Sequence, residues 1–372
     1  MGVTGMEIKS ESVPSWAIKY RADRYRRPSY AADCVGFAVD QEAKNLKAMV
    51  VVRGKEPFAG LDAWPGGFMD WDVDRTARDA VLRELREETG QGGVEYLEAL
   101  DTYDTNGRDP RQFAGYVDPA TGGWVDTGTP VVSRAFLALL RQDGRVLRPE
   151  EGEDAAVALW RSVYEYLPWE DLRTPAGRAV LRKVVSGLRK WAEDSLGALR
   201  YERLKRLEYA FGRSLAEWNE ERVSERYALL MEAGYLEEAW RDKWGRVEAP
   251  ALPSRAVYGR PMAFDHRQML ADALGRLRGK IKYMPALLYA LMDNEFTLGE
   301  LRTAVEAIAG RKLHPSNFAA VVSKHKSSCI VRPLDKKRSA RGVGRPGRLY
   351  TFVDDVLFAR LDTSIKFPWL PT

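Results

Sequence analysis

Residues 65–90 read PGGFMDWDVDRTARDAVLRELREETG. Within them, Arg83-Glu84-Leu85-Arg86-Glu87-Glu88-Thr89-Gly90 sets three carboxylates at positions i, i+3 and i+4. On a helix that spacing brings Glu84, Glu87 and Glu88 onto one face, within reach of one another. Acids crowded in this way repel, and a divalent cation relieves the repulsion. Hard oxygen donors suit Mg2+ or Mn2+, ions that commonly bridge to phosphate. The segment therefore reads as a site for a diphosphate with Mg2+ (or Mn2+) as cofactor. The competing reading is a solvated helix of alternating charge.

The segment resembles the Nudix box, which runs Gly, five residues, Glu, seven residues, then Arg-Glu-apolar-x-Glu-Glu-x-Gly-apolar. Arg83, Glu84, Leu85, Glu87, Glu88 and Gly90 match its second half, and Trp64-Pro65-Gly66-Gly67-Phe68 precedes the acids. The first half departs from the pattern. Counting back from Gly90 puts Met69 and Arg75 where Gly and Glu belong. Aligning Gly66-Gly67 with the family's Gly-Gly turn instead leaves two extra loop residues, with only Asp72 or Asp74 in place of the Glu. Gln91 stands at the final apolar position. The resemblance implies that Glu84, Glu87 and Glu88 ligate metal and act in catalysis, with Arg83 holding the cluster.

The length of 372 residues suggests two or three domains. At 45% apolar and 30% charged, the composition excludes a disordered chain and fits a globular one. The two cysteines, Cys34 and Cys329, lie too far apart in sequence to suggest a disulfide or metal framework, which favours a reducing, cytoplasmic setting. The first 30 residues have no apolar core of a signal peptide, and the longest apolar run, around 285–292, is too short to span a bilayer.

Residues 31–53 read as two strands and a turn, followed by a loop rich in Pro and Gly. The acidic helix is expected from about Arg75 to Thr89, with Ala77, Ala80, Val81 and Leu85 inward and Gly90 as C-cap. Further strands are expected near 94–103, 131–140 and 156–160. From about 169 to 244, Leu181, Val184, Val185, Leu188 and Trp191, then Leu199, Leu204, Leu207, Phe211, Leu215 and Trp218, recur at helical spacing. They predict two to four amphipathic helices, packed as core or between protomers. Residues 245–261 read as a linker.

Residues 261–350 carry 17 Lys and Arg against 7 Asp and Glu, leaving 41 against 46 elsewhere. An acidic module joined to a basic one points to a polyanionic partner. Ala263-Phe264-Asp265-His266 is expected to open a helix to about Lys282. Thr297 and Glu300 form a capping box for a second, closed by Gly310, and Pro315 begins a third that runs to about Lys326. Strands at 330–334 and 348–353 flank a basic, Gly-rich turn. This order is that of a winged helix-turn-helix. Ser316, Asn317, Lys324 and Lys326 would face DNA from the recognition helix, and Lys336, Lys337, Arg338, Arg341 and Arg345 from the wing. His314 and His325 read as surface or capping residues.

Taken whole, the chain resembles the Nudix-related transcriptional regulators of NAD metabolism. The matching segments are Asp33-Cys34-Val35, residues 53–58 and 64–68, Ala263-Phe264-Asp265-His266, residues 296–301 and residues 344–350. The resemblance implies an α+β protein in which residues 1–165 form a Nudix α/β/α sandwich with a mixed sheet and 261–372 a C-terminal winged helix-turn-helix. The helical insert and linker between them, 166–260, have no counterpart in that family. The resemblance places Arg53, Gly66, Gly67 and Phe68 at the nucleotide. It implies an ADP-ribose-responsive regulator that binds double-stranded DNA as a homodimer, retaining Mg-dependent ADP-ribose pyrophosphatase activity in some members. The alternative is a Nudix hydrolase whose C-terminal domain serves assembly or RNA binding. In a hydrolase, Glu151, Glu153 and Asp154 are loop acids that could serve as base.

Overall fold

The computed structural model of the chain describes residues 24–25, 27–142, 146–150, 155–241, 258–284, 286–323, 330–338, 347–353 and 367–370. Lys324, Lys326, Arg341 and Arg345 of the predicted DNA interface lie outside these residues, as do Glu151, Glu153, Asp154, His325 and Cys329.

Strands β1 (Ser29–Asp40) and β2 (Asn45–Arg53) form the expected hairpin, followed by the short β3 (Asp62–Ala63) and β4 (Gly66–Phe68). Helix α1 spans Ala77–Thr89, and β5 spans Tyr96–Tyr103. A small hairpin of β6 (Gly115–Val117) and β7 (Trp124–Asp126), with no counterpart in the sequence reading, precedes β8 (Val131–Leu139) and β9 (Ala155–Ser162). The main sheet runs β3-β2-β1-β8-β5, with β4 added to β1 and β9 to β2. It is mixed, since β1 pairs β8 in parallel and its other neighbours antiparallel.

Helix α1 begins two residues later than the apolar pattern suggests. Thr76 is extended (φ −142°) and accepts from the Asp79 N–H, while the Asp79 carboxylate accepts from the Thr76 N–H, which closes a capping box. Gly90 ends the helix in the left-handed region at φ 71° and donates to the Arg86 carbonyl.

Side-chain alternation on the strands builds two cores. Ala32, Cys34, Met49, Val51, Phe136 and Ala138 face α1 and bury its Ala80, Val81 and Leu85. Burial pushes the Cys34 thiol up to about 12, so it packs as a small apolar group. On the opposite face, Val35, Phe37, Leu46, Val50 and Leu137 meet the rest of the molecule. Helices α2 (Val163–Tyr166), α3 (Pro175–Glu193), α4 (Gly197–Phe211), α5 (Val223–Glu232) and α6 (Glu238–Arg241) follow β9. Leu181, Val184, Leu188, Leu207 and Phe211 are buried as the helical stripe predicts. Leu199 is 46% exposed, because α4 buries only its C-terminal half.

Helix α7 (His266–Lys280) lies in the same core. It starts at His266, not Ala263, because Phe264 takes a left-handed backbone (φ 50°) that no helix accommodates. Helix α8 (Ala286–Leu291) occupies the apolar run to which the sequence reading assigned no element. Then come β10 (Phe296–Thr297), α9 (Leu298–Ala309), α10 (Pro315–Ser323), β11 (Val331–Arg338) and β12 (Gly347–Phe352), with sheet order β10-β12-β11. The capping box of Thr297 and Glu300 and the C-cap at Gly310 are present as expected. The mixed α+β architecture is the one read from the sequence. Its winged helix is not a separate body: Leu301, Val305 and Ile308 of α9 pack against β1 and β2 of the main sheet.

Buried ion pairs lock these parts together. Glu170, before α3, accepts from Arg226 of α5 at 2.6 and 2.9 Å and from Arg278 of α7 at 2.5 Å. All three side chains are fully buried. The two guanidiniums hold the Glu170 carboxyl below the ordinary range against the opposing effect of its burial. Among the described residues, no helix is long and apolar enough to cross a membrane.

Candidate nucleotide site

The acidic face of α1 closes one side of a cavity of about 310 Å³. Arg53, Gly66, Gly67, Phe68, Glu84 and Glu88, all named from the sequence, line it together. Two glycines permit this approach. The Gly66 N–H donates to Glu88 Oε2 at 2.8 Å, and a Cβ at that position would lie 2.5 Å from the Ala32 carbonyl. A Cβ on Gly67 would lie 2.4 Å from Glu84 Oε1.

Arg83 organises the acids from behind. Its guanidinium donates to Glu84 at 2.8 Å, to Glu87 at 2.9 Å and to Asp74 at 2.8 Å. The bond from Arg83 lowers the Asp74 pKa, and Asp74 is the foremost reason that the Arg83 pKa is raised. Asp74 is buried whereas Asp72 is exposed, so Asp74 is the loop acid that pairs with this arginine. Arg75 is exposed and Met69 packs in the core, and neither takes part. Glu87 does not line the cavity; its Oε2 accepts from Arg83 at 2.9 Å. Among the described residues, no three His, Cys, Asp or Glu side chains gather at one point. Glu84 and Glu88 still offer hard oxygens to the cavity, a donor chemistry that fits Mg2+ or Mn2+.

The far wall is cationic and aromatic, and here the sequence reading missed several groups. Arg111 is held by Asp109, with Nη2 to Oδ2 at 2.6 Å. Its guanidinium lies 4.7 Å from the ring of Phe68 and 5.3 Å from that of Phe264. Arg53 lies 4.9 Å from the Phe264 ring. Arg108 and His266 complete this wall. Stacked guanidiniums and aromatics suit a base and a pyrophosphate. Phe264 and His266 belong to the motif that the sequence reading placed at the start of the DNA-binding part. Their motif was visible; their position beside Gly66 required the fold.

His266 is fixed by Trp64, whose N–H donates to His266 Nδ1 at 2.9 Å and whose indole donates to the His266 carbonyl at 2.8 Å. Burial, then the charges of Arg108, Arg53, Arg111 and Arg241, push the His266 pKa well below 6.5. The ring is therefore neutral, with Nδ1 accepting and the proton on Nε2, which faces Asp33 Oδ1 at 3.7 Å. Asp33 is itself raised to about 6, chiefly by burial, with Arg108 and the Ser133 hydroxyl opposing.

At the other end, Ser316 and Asn317 are exposed on α10, as a recognition helix needs. Lys336 pairs with Glu295 and Arg338 with Glu300, each at 2.6 Å, while Lys337 is exposed on β11. Such largely exposed pairs are worth little.

This sheet, acidic helix and C-terminal three-stranded wing define a Nudix-domain protein that ends in a winged helix. The family described as NUDIX domain matches residues 30–186, and that described as NrtR DNA-binding winged helix domain matches residues 288–352. The chain thus joins a match to the Nudix domain to a match to the NrtR-type winged helix domain. The Nudix match continues into α3, past the boundary at 165 expected from the sequence. An ADPR responsive transcriptional repressor NtrR of Acinetobacter baylyi is 29% identical over 109 residues, which make up 29% of this chain and 42% of the relative. An ADP-ribose pyrophosphatase of Methanocaldococcus jannaschii is 37% identical over 94 residues, 25% of this chain and 48% of the relative. The chain thus spans less than half the length of these curated relatives. The crystal structure of Shewanella oneidensis NrtR complexed with a 27mer DNA is 21% identical, with a TM-score of 0.49 over 91% of this chain and 99% of that one.

Proposed function

We propose that the chain is a DNA-binding transcriptional regulator of NAD metabolism that responds to ADP-ribose. The observation that carries this reading is the cavity, where Glu84 and Glu88 face a wall of Phe68, Phe264, Arg53 and Arg111. Aromatic rings suit the adenine, the arginines the pyrophosphate, and the carboxylates a cation that accompanies it. The two relatives' names point to the same nucleotide from both sides, one as effector and one as substrate.

Arg53 and Arg111 would neutralise the diphosphate, and neutral His266 offers only its Nε2 proton. Glu84 and Glu88, with Glu87 alongside, would hold Mg2+ or Mn2+, which when bound neutralises the pyrophosphate and activates a water. Ligand occupancy changes DNA affinity only to the extent that the nucleotide prefers one arrangement of the winged helix over another. Ser316, Asn317, Lys324, Lys326, Lys336, Lys337, Arg338, Arg341 and Arg345 supply the contacts to duplex DNA, which two copies of the chain would grip at a palindrome.

The retained alliance of Arg83 with Asp74, Glu84 and Glu87 favours a second activity, Mg-dependent cleavage of ADP-ribose to AMP and ribose 5-phosphate. Mobility shift of duplex DNA with and without ADP-ribose tests the first activity, and release of AMP with Mg2+ tests the second. Duplex retained and then released by ADP-ribose supports the regulator. Rapid cleavage with no duplex retained at low salt leaves only a hydrolase. Glu84→Gln with Glu88→Gln abolishes cleavage if these carboxylates carry it.

A further inference from the structure

Among its described residues the helical insert shows no chemical motif of its own, yet its helix α6 grips the segment that enters the cavity from outside the main sheet. Arg241 donates to the Met262 carbonyl at 2.7 Å and to the Phe264 carbonyl at 3.2 Å. Glu238, one turn earlier, accepts from the Met262 N–H at 3.1 Å and from Arg267 at 3.0 Å. The Arg241 guanidinium also lies 4.5 Å from the ring of Phe58, which meets Phe264 edge-on at 4.9 Å.

Both aromatics have left-handed backbones, φ 68° at Phe58 and φ 50° at Phe264. Bulky residues rarely adopt that region, and it persists only where the surroundings hold it. At Phe264 those surroundings include two guanidinium bonds from the insert. We infer that Arg241 is a positioning residue for the nucleotide site. By holding the carbonyls on either side of Ala263, it keeps Phe264 in its left-handed conformation and its ring in the cavity wall against Arg53 and Arg111. This gives the insert a role: it clasps, from behind, the wall on which the base stacks. The inference rests on the cavity taking ADP-ribose.

A double-mutant cycle on the full chain tests it, read as ADP-ribose affinity by calorimetry. Arg241→Met keeps an apolar stem beside Phe58 but removes both donors. Phe264→Gly makes the left-handed backbone free of strain. Arg241→Met is expected to weaken binding roughly tenfold in the native background, but by less than about twofold when Phe264→Gly is already present. Arg241→Lys, whose single ammonium cannot fork across two carbonyls, is expected to behave like Arg241→Met in the same cycle and serves if the latter fails to fold. Losses that multiply in the double variant overturn the inference, as does native affinity in Arg241→Met or Arg241→Lys. Absence of ADP-ribose binding by the unmodified chain is a different failure, that of the nucleotide reading itself.

Discussion

Arg108 closes on Asp265 through two bonds, Nη2 to Oδ1 at 2.6 Å and Nε to Oδ2 at 2.8 Å, joining the loop after β5 to the residue ahead of α7. The arginine side chain is only 4% exposed and also faces Asp33. Asp265→Asn leaves that cation with a weaker partner. The expected loss is about 2–3 kcal/mol of stability, below the figure for a fully buried pair because Asp265 retains some contact with water. Urea unfolding measures it, and an unchanged midpoint with unchanged slope would count against the pair.

Gly66 and Gly67 predict different kinds of damage. A Cβ on Gly66 meets backbone, the Ala32 carbonyl, so Gly66→Ala is expected to cost about 1–3 kcal/mol of stability. A Cβ on Gly67 meets the movable Glu84 carboxylate, so Gly67→Ala should fold but lose nucleotide affinity. Thermal melting beside ligand titration separates the two; the reverse pattern would show that the strand, not the carboxylate, needs Gly67.

Asp33 gives a pH signature. Its carboxyl holds a proton up to about pH 6 in the folded chain, against 3.8 when free. The folded state therefore binds more protons between these values, and stability falls as pH rises through them. Asp33→Asn is expected to flatten that fall, which amounts to about 2–3 kcal/mol at most. Denaturant midpoints from pH 4 to pH 7 that run parallel in both proteins would remove Asp33 as the cause.

Glu170→Gln strands two buried cations, Arg226 and Arg278, that share one carboxylate. A loss of about 3–5 kcal/mol is expected. Chemical unfolding reads it; a cost under about 1 kcal/mol would place the pair among exposed ones in strength.

Lys337 is exposed on β11 and forms no ion pair among the described residues. If it meets phosphate, Lys337→Ala lowers the slope of log affinity against log salt by about one. An identical slope would take this lysine out of the interface.

The acidic helix was legible because helical spacing, a capping threonine and a terminal glycine are local signals that all agree. The strands β1, β2, β5, β8 and β9 were legible from alternation, and the capping box at Thr297 from four residues. Arg108, Arg111, Phe264 and His266 were not legible as cavity residues, because their meeting depends on contacts such as Trp64 with His266, 202 residues apart. Periodicity places Glu87 on the face of Glu84 and Glu88 but does not say which neighbours its oxygens meet, here Arg83 through Oε2. The insert's purpose was not legible in its charges: Arg226 is buried against Glu170 and Arg241 reaches two carbonyls, contacts that helical spacing does not mark.

Phe37 on the main sheet and Val305 of α9 share one apolar interior. Cutting the chain ahead of α7 would thus not liberate two foldable halves; it would strip a whole face of the sheet to water. Truncated pieces are expected to aggregate when expressed, and grafting the winged helix onto another sensor would require a substitute lid. Evolution can tune such a molecule but cannot easily shuffle its parts.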